Sequence, residues 1–106
     1  MRSTTTNRKL TAQQILRRLN HHQDDLKQYK VKRIGLFGSY ATGTQRKRSD
    51  VDILVECREP TFDNFMNLAS YLEKLLKTKV DLITTGGLSP HIKPFIENEV
   101  RWHEVR

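Results

Sequence analysis

The sequence has few of the residues that stabilise secreted proteins or that cross membranes. Its single cysteine, Cys57, excludes an internal disulfide, and the lack of a cysteine and histidine cluster argues against structural zinc. No apolar run approaches the roughly 20 residues of a transmembrane helix, and no apolar stretch follows the first basic residues as in a secretory signal. These absences predict a soluble, cytoplasmic protein. At 106 residues, the chain is expected to form one domain without a second lobe.

Acidic residues are scarce in the first third of the chain, where residues 1–33 hold nine Lys or Arg against two Asp. The remaining residues hold ten of each sign, so the net charge of +7 arises entirely in this segment. Such an excess is typical of nucleic-acid binding, of an acidic partner, or of a solvated helix face. Residues 1–9 are polar and basic with nothing to bury, which predicts a disordered tail ahead of a domain over residues 10–106.

The pattern of apolar residues predicts alternating helices and strands. Thr11 and Gln14 form a capping-box pattern, which predicts a helix that runs to about residue 28. The apolar run within 31–37 predicts a strand that is buried on both faces. Further strands are expected over 51–56, 80–84 and 100–105, and further helices over 61–77 and 89–97. We therefore expect an α/β (α+β) fold, a small mixed sheet of three to four strands packed with about three to four helices.

Two of the expected helices carry more specific predictions. Apolar residues from Phe62 through Met66 to Leu76 recur at helical spacing, which predicts that this stripe faces the core. The helix over 89–97 is expected to open with Ser89 as its N-cap and Pro90 at its first position. Pro94 would then lie a turn further in and disturb the helix.

Three aspartates interrupt the otherwise apolar second and third strands. Because side chains alternate along a strand, Asp50 and Asp52 are predicted to project from one face. Asp81 is the acidic residue of the third strand, and it would join them if the second and third strands pair. Carboxylates that share a half-buried face repel each other, a cost that a bound cation offsets. Oxygen ligands of this kind suit Mg²⁺, and two such ions about 4 Å apart would serve an in-line displacement at a phosphate.

Gly38 and Ser39 directly follow the first predicted strand. Because glycine has no side chain, backbone N–H groups and the Ser39 hydroxyl could approach a triphosphate at this turn. Each signal alone is weak, since Gly-Ser is a common turn dipeptide and Asp-x-Asp also occurs by chance. In combination they indicate a phosphate and metal site.

The series Gly38-Ser39, Asp50-Val51-Asp52 and Asp81 resembles the DNA polymerase β-like nucleotidyltransferase superfamily. The short length and the strings Phe-Gly-Ser-Tyr-Ala-Thr-Gly and Ser-Asp-Val-Asp-Ile-Leu-Val are similar to its minimal nucleotidyltransferases, which commonly act as antitoxins in HEPN/MNT toxin–antitoxin pairs. The resemblance covers residues 30–85 closely and implies a fold like the polymerase β palm.

This resemblance implies a reaction and a partner. The reaction would be transfer of AMP from ATP to a tyrosine hydroxyl of a HEPN ribonuclease toxin, which would thereby be neutralised. Asp50 and Asp52 would bind both Mg²⁺ ions, and Asp81 would bind one and help to deprotonate the acceptor hydroxyl. The residues assigned to the nucleotide are Gly38, Ser39 and Ser49.

Two other functions are compatible with the same residues. A catalytically silent antitoxin could bind its partner and occlude it, with the basic first helix against an acidic surface. An RNA-modifying nucleotidyltransferase is less favoured, because the chain lacks interleaved aromatic residues for stacking on bases. Arg46, Lys47 and Arg48 could contact phosphates or belong to a solvated loop.

Overall fold

The computed structural model describes residues 10–43, 50–59, 61–91 and 93–105. No helix within these ranges is long and apolar enough to span a membrane. The described elements, in chain order, are α1 (Ala12–His21), α2 (Gln23–Gln28), β1 (Val31–Phe37), α3 (Ser39–Thr42), β2 (Val51–Cys57), α4 (Phe62–Leu76), β3 (Val80–Thr84), a 3₁₀ turn (Thr85–Gly87), α5 (Lys93–Glu99) and β4 (Arg101–Glu104).

The four described strands form one sheet in the order β3-β2-β1-β4. β1 runs antiparallel to β2 on one side and to β4 on the other. β2 and β3 run parallel, because α4 carries the chain back across the sheet between them. The mixed sheet and the pairing of the second strand with the third confirm the fold class that the sequence predicts.

The apolar core lies between the sheet and the long helices. Ile34 and Leu36 of β1 alternate with Gly35 and Phe37, so one face of this strand points toward α1, α2 and α4. Burying each large aliphatic side chain stabilises the fold by about 1.5–3 kcal/mol relative to its exposure. The most deeply buried members of the core are Ile15, Leu19, Leu26, Ile34, Leu36, Val51, Ile53, Val55, Leu68, Leu72 and Leu76.

The first predicted helix begins as expected and divides before its expected end. Thr11 accepts a hydrogen bond from the Gln14 N–H while the Gln14 side chain accepts one from the Thr11 N–H, which confirms the capping box. At His22 the backbone leaves helical geometry, and the His22 Nδ1 lies 2.8 Å from the Arg18 carbonyl oxygen. This break separates α1 from α2, and with the short α3 it gives five α-helices among the described residues where about three to four were predicted.

Side-chain contacts hold α2, and Tyr29 directly after it, against α4. The Tyr71 hydroxyl donates to the Asp25 carboxylate at 2.7 Å, and the Asn64 side chain donates to the Tyr29 carbonyl at 2.6 Å. The rings of Tyr29 and Tyr71 also pack, with centroids 5.2 Å apart. These contacts fix the layer of helices that supports β1 and β2.

The predicted apolar stripe of α4 is wrong at its N-terminal end. Phe62 is 76% exposed and Met66 is 47% exposed, whereas Leu68, Leu72 and Leu76 are buried. Phe65 and Ala69 of the predicted stripe are partly buried against the core, so only its edge at Phe62 and Met66 faces outward.

The start of α5 also differs from its prediction. The helix begins at Lys93, four residues after Ser89. Ser89 still makes the contacts of a cap, because its carbonyl accepts from the Lys93 N–H and its Oγ accepts from the His91 N–H at 3.2 Å. Pro94 is therefore the second helical residue, where its missing N–H has no intrahelical partner to lose. The helix extends to Glu99, two residues beyond the predicted end.

Gly35 is a point of close approach between β1 and the chain that follows α5. A Cβ built on Gly35 would collide with Val100 Cγ1 and would lie 3.0 Å from Trp102 and 3.1 Å from the Arg101 carbonyl. We expect Gly35→Ala to lower the free energy of unfolding by about 1–3 kcal/mol, the cost of overpacking a core. Urea titration measures this change. Gly86→Ala, where an added Cβ meets nothing within 4 Å, is the control, and equal effects of both substitutions would contradict the packing described.

Candidate active site

Strand register brings Asp52 and Asp81 to adjacent positions in the sheet. Asp52 is paired with Asp81 across the parallel strands β2 and β3, and it is also paired with Phe37 across the antiparallel strands β1 and β2. Gly38 directly follows Phe37, so the turn after β1 lies beside Asp52. The predicted carboxylates Asp52 and Asp81 therefore meet the Gly38-Ser39 turn at one end of the sheet.

Asp50 directly precedes β2, whose predicted start at Val51 is confirmed. The strand begins at Val51, so Asp50 is exposed in the residue before β2 and strand alternation does not set its side-chain direction. Its charge nevertheless acts on the site. Burial raises the pKa of the Tyr40 hydroxyl, and the carboxylate of Asp50 raises it further.

Asp52 carries the electrostatic cost of this arrangement. Burial raises the pKa of the Asp52 carboxyl above its ordinary value, and the charges of Asp81 and then Asp50 raise it further. The three predicted acids are thus within electrostatic reach of one another through Asp52. An anion held half-buried beside two like charges is the situation that a cation relieves.

The donor set fits a hard divalent cation in chemistry, since it consists of carboxylate oxygens alone. Within the described residues, no three acidic, histidine or cysteine side chains converge tightly enough to enclose a metal ion. The strand register sets the positions of Asp52 and Asp81, while the direction of the Asp50 side chain is not set by the sheet.

Gly38 has a backbone that only glycine adopts easily. Its φ of 71° and ψ of −149° lie outside the regions that other residues favour. A Cβ at this position would also collide with Oδ2 of Asp52. Ser39 then begins α3, and this four-residue helix ends at Gly43 in the left-handed conformation. The turn is therefore shaped to bring backbone against the Asp52 carboxylate.

One residue that contacts this turn was not predicted. The Gly38 N–H donates to Oε1 of Glu99, with 3.3 Å between nitrogen and oxygen. Glu99 lies at the end of α5, beyond the predicted helix, and no motif in the sequence marks it. Its position follows from the antiparallel pairing of β4 with β1, which returns the chain to the turn.

A pocket of the size of a small-molecule site lies next to α3. It has a volume of about 590 Å³, within the range of small-molecule sites. The residues that line it are Thr11, Ala12, Gln13, Tyr40, Ala41, Gly43 and Arg101.

Ser49, which the family resemblance assigns to the nucleotide, lies outside the described residues, as do Arg46, Lys47 and Arg48 and the predicted tail over residues 1–9.

Part of the excess of basic residues in the first third of the chain can be located. Arg33 donates to Glu56 at 2.7 Å and stacks on Trp102 at 4.0 Å, while Lys32 pairs with Glu56 at 3.7 Å. These cations are engaged within the fold itself.

The raised pKa of Asp52 has a consequence for stability. In protein freed of divalent cations by a chelator, we expect Asp52→Asn to raise the free energy of unfolding at neutral pH. Ionisation of Asp52 costs folding free energy once the pH exceeds the unfolded pKa of about 3.9, and the cost grows as the pH rises through the higher folded pKa. The gain should vanish in acid, where the carboxyl is protonated in both states.

Denaturant titrations across a pH series measure this effect. Asp63→Asn, which removes an exposed acid from the first turn of α4, serves as the control and should lower stability at neutral pH by less than about 1 kcal/mol, a change of opposite sign. A stabilisation by Asp52→Asn that is as large at about pH 3 as at neutral pH would contradict the electrostatic origin.

Comparison with known proteins assigns this geometry to a family. Residues 19–103 match the nucleotidyltransferase domain. The chain belongs to this nucleotidyltransferase family. A relative from Methanocaldococcus jannaschii, which carries the name of a protein adenylyltransferase, is 46% identical over 95 residues, covering 85% of this chain and 95% of its own. Protein adenylyltransferase MntA of Thermococcus cleftensis is 40% identical over 93 residues, covering 86% of this chain and 94% of its own.

Solved structures share the fold of this nucleotidyltransferase. A minimal nucleotidyltransferase superposes with a TM-score of 0.76 at 28% identity, over 87% of this chain and 95% of that one. A toxin–antitoxin structure with AMP-PNP gives a TM-score of 0.61 at 26% identity, over 76% and 70%. A Shewanella oneidensis MNT antitoxin complex with a tri-AMPylated HEPN toxin matches in fold alone, with a TM-score of 0.53 at 21% identity, over 78% and 69%. The resemblance to minimal nucleotidyltransferase antitoxins is confirmed.

Proposed function

We propose that this nucleotidyltransferase is an antitoxin that transfers AMP from ATP to a tyrosine hydroxyl of a HEPN ribonuclease toxin. The observation that carries the proposal is the pairing of Asp52 with Asp81 beside the Gly38 turn. This juxtaposition provides acidic and backbone groups at one point, as transfer of a nucleotidyl group requires. The names of the relatives and the AMP-PNP in a related complex support ATP as the substrate and a toxin as the partner.

Each residue has a role in this proposal. Asp50, Asp52 and Asp81 hold Mg²⁺, which when bound supplies Lewis-acid stabilisation of charge on the phosphates. The backbone N–H groups of Gly38, Ser39 and Ser49, together with the hydroxyls of the two serines, hold the nucleotide. The acceptor tyrosine oxygen attacks the α-phosphorus of ATP, its proton passes to Asp81, and the bond to pyrophosphate breaks as the bond to AMP forms. The partner presents the acceptor, because the described fold is a single lobe.

Reconstitution with a toxin partner tests this proposal. A HEPN toxin encoded next to the gene for this chain would be the partner to use, and it should acquire label from α-labelled ATP in the presence of Mg²⁺. Replacement of its modified tyrosine by phenylalanine should remove the label. Absence of label on the partner, under conditions in which it is bound by the antitoxin, would contradict AMP transfer.

A catalytically silent antitoxin is the second candidate. It is compatible with the described part of the chain, where no three acidic, histidine or cysteine side chains converge on one point. Such a protein would neutralise the toxin by binding alone. Co-expression of the toxin with the Asp50→Asn/Asp52→Asn double variant distinguishes the two, because full rescue of growth would favour occlusion and loss of rescue favours AMP transfer.

A further inference from the structure

Two carboxylates approach Gly38 from different parts of the chain. The position of the absent Cβ faces Asp52, while the N–H donates to Glu99 of α5. The contact with Glu99 links residues 61 positions apart in the sequence. An acidic side chain thus engages a backbone N–H at the turn that the proposed function assigns to the triphosphate.

We propose that Glu99 is an internal competitor of the anionic nucleotide at this turn, and that it thereby determines how strongly the site selects phosphate-bearing ligands. The inference rests on the proposed function. A carboxylate oxygen and a phosphate oxygen are both anionic acceptors, so they compete for the same N–H donor. A triphosphate that reaches the Gly38 N–H must displace Glu99 or share the donor with it, and it must also meet the charge of Glu99.

The backbone around Glu99 holds it beside the turn. The next residue, Val100, packs so closely on β1 that a Cβ at Gly35 would collide with it. Arg101 then pairs with Leu36, only two residues before Gly38. Because this backbone is anchored, rotation of the Glu99 side chain alone is enough to break its hydrogen bond with Gly38. The competitor therefore stays at high local concentration in the free protein and can leave without unfolding α5.

A helix neighbour provides a matched control. Glu97 is an exposed acid of α5, two residues before Glu99, and residues at this spacing point in different directions on a helix. Replacing either glutamate changes the net charge equally. A difference between the two variants therefore measures the contact with Gly38 and not the overall charge of the protein.

Calorimetric titration of the full chain with AMP-PNP and with adenosine tests the proposal. Glu99→Ala should bind AMP-PNP about three- to tenfold more tightly than the wild type. This gain is expected if one modest hydrogen bond keeps Glu99 on the Gly38 N–H in most wild-type molecules. Glu99→Gln keeps the acceptor and loses the charge, so its gain should be smaller. Glu97→Ala should shift the affinity less than either, and adenosine should bind all four proteins equally.

The outcomes separate this inference from the function on which it rests. Equal AMP-PNP affinities for the wild type and Glu99→Ala, equal gains for Glu97→Ala and Glu99→Ala, or weaker binding by Glu99→Ala would each overturn the competitor role while leaving nucleotide binding intact. Failure of all four proteins to bind AMP-PNP would overturn the proposed function as well. A second measurement follows the amide resonance of Gly38. Its chemical shift should differ between the wild type and Glu99→Gln, and in the wild type it should change again when AMP-PNP is added. An identical chemical shift in the wild type and Glu99→Gln would contradict the contact.

Discussion

Replacing Asp52 with Asn is expected to lower the rate of AMP transfer by about a thousandfold or more, because metal-held charge stabilisation contributes several kcal/mol to such reactions. Asp52 is the carboxylate that lies next to both Asp81 and the Gly38 turn, so no other described acid can take its place. The asparagine side chain has nearly the same shape, and the loss should therefore arise from charge. Single-turnover labelling of the partner at saturating ATP measures the rate.

The same variant should be folded and at least as stable as the wild type when divalent cations are absent, since it removes the repelled, half-buried charge. Loss of transfer together with retained stability is a combination that simple unfolding cannot produce. Asp63→Asn is the matched control, because it removes an exposed carboxylate of α4 and should keep transfer within about twofold. Retention of transfer by Asp52→Asn within tenfold of the wild type would contradict the assigned role.

Gly38→Ala is expected to lower AMP transfer by about a hundredfold and the free energy of unfolding by about 1–3 kcal/mol. Alanine at a φ of 71° is strained, and its Cβ would push against the Asp52 carboxylate. The substitution therefore displaces the turn from the acid that it adjoins. Transfer kinetics and urea titration together measure the two effects.

Gly43→Ala separates backbone strain from displacement of Asp52. Gly43 also has a positive φ, of 79°, but an added Cβ there meets nothing within 4 Å. It should therefore cost about 1 kcal/mol of stability and leave the transfer rate within a few-fold of the wild type. Equal losses of transfer in both variants would show that the close approach of Gly38 to Asp52 has no part in function.

The meeting of Asp52 with Asp81 could be predicted because it depends on two local patterns. Strand alternation determines which residues share a face, and the order of strand, helix and strand favours a parallel pair that brings the two acids side by side. The predicted bounds of β1 and β3 are confirmed. Assignment of these acids to Mg²⁺ stays a prediction, since it depends on a ligand and not on the chain alone.

Asp50 and Glu99 are residues of the site whose positions the sequence patterns do not determine. Asp50 lies one residue before the predicted and observed start of β2, so strand alternation does not fix the direction of its side chain. Glu99 reaches Gly38 through the return of β4 to β1, a long-range pairing that no local spacing encodes. The exposed Phe62 and Met66 have a related cause, since helical periodicity identifies an apolar face but not how far around the helix the core covers it.

The most direct test of the account is the mass of the toxin partner after incubation with this nucleotidyltransferase, ATP and Mg²⁺. We expect the partner to gain one or more AMP units, with fragmentation spectra that locate them on tyrosine. The Asp52→Asn enzyme should leave the mass unchanged at the same time point. An unmodified partner in the wild-type reaction, in a sample where the two proteins form a complex and the toxin is neutralised, would contradict the account.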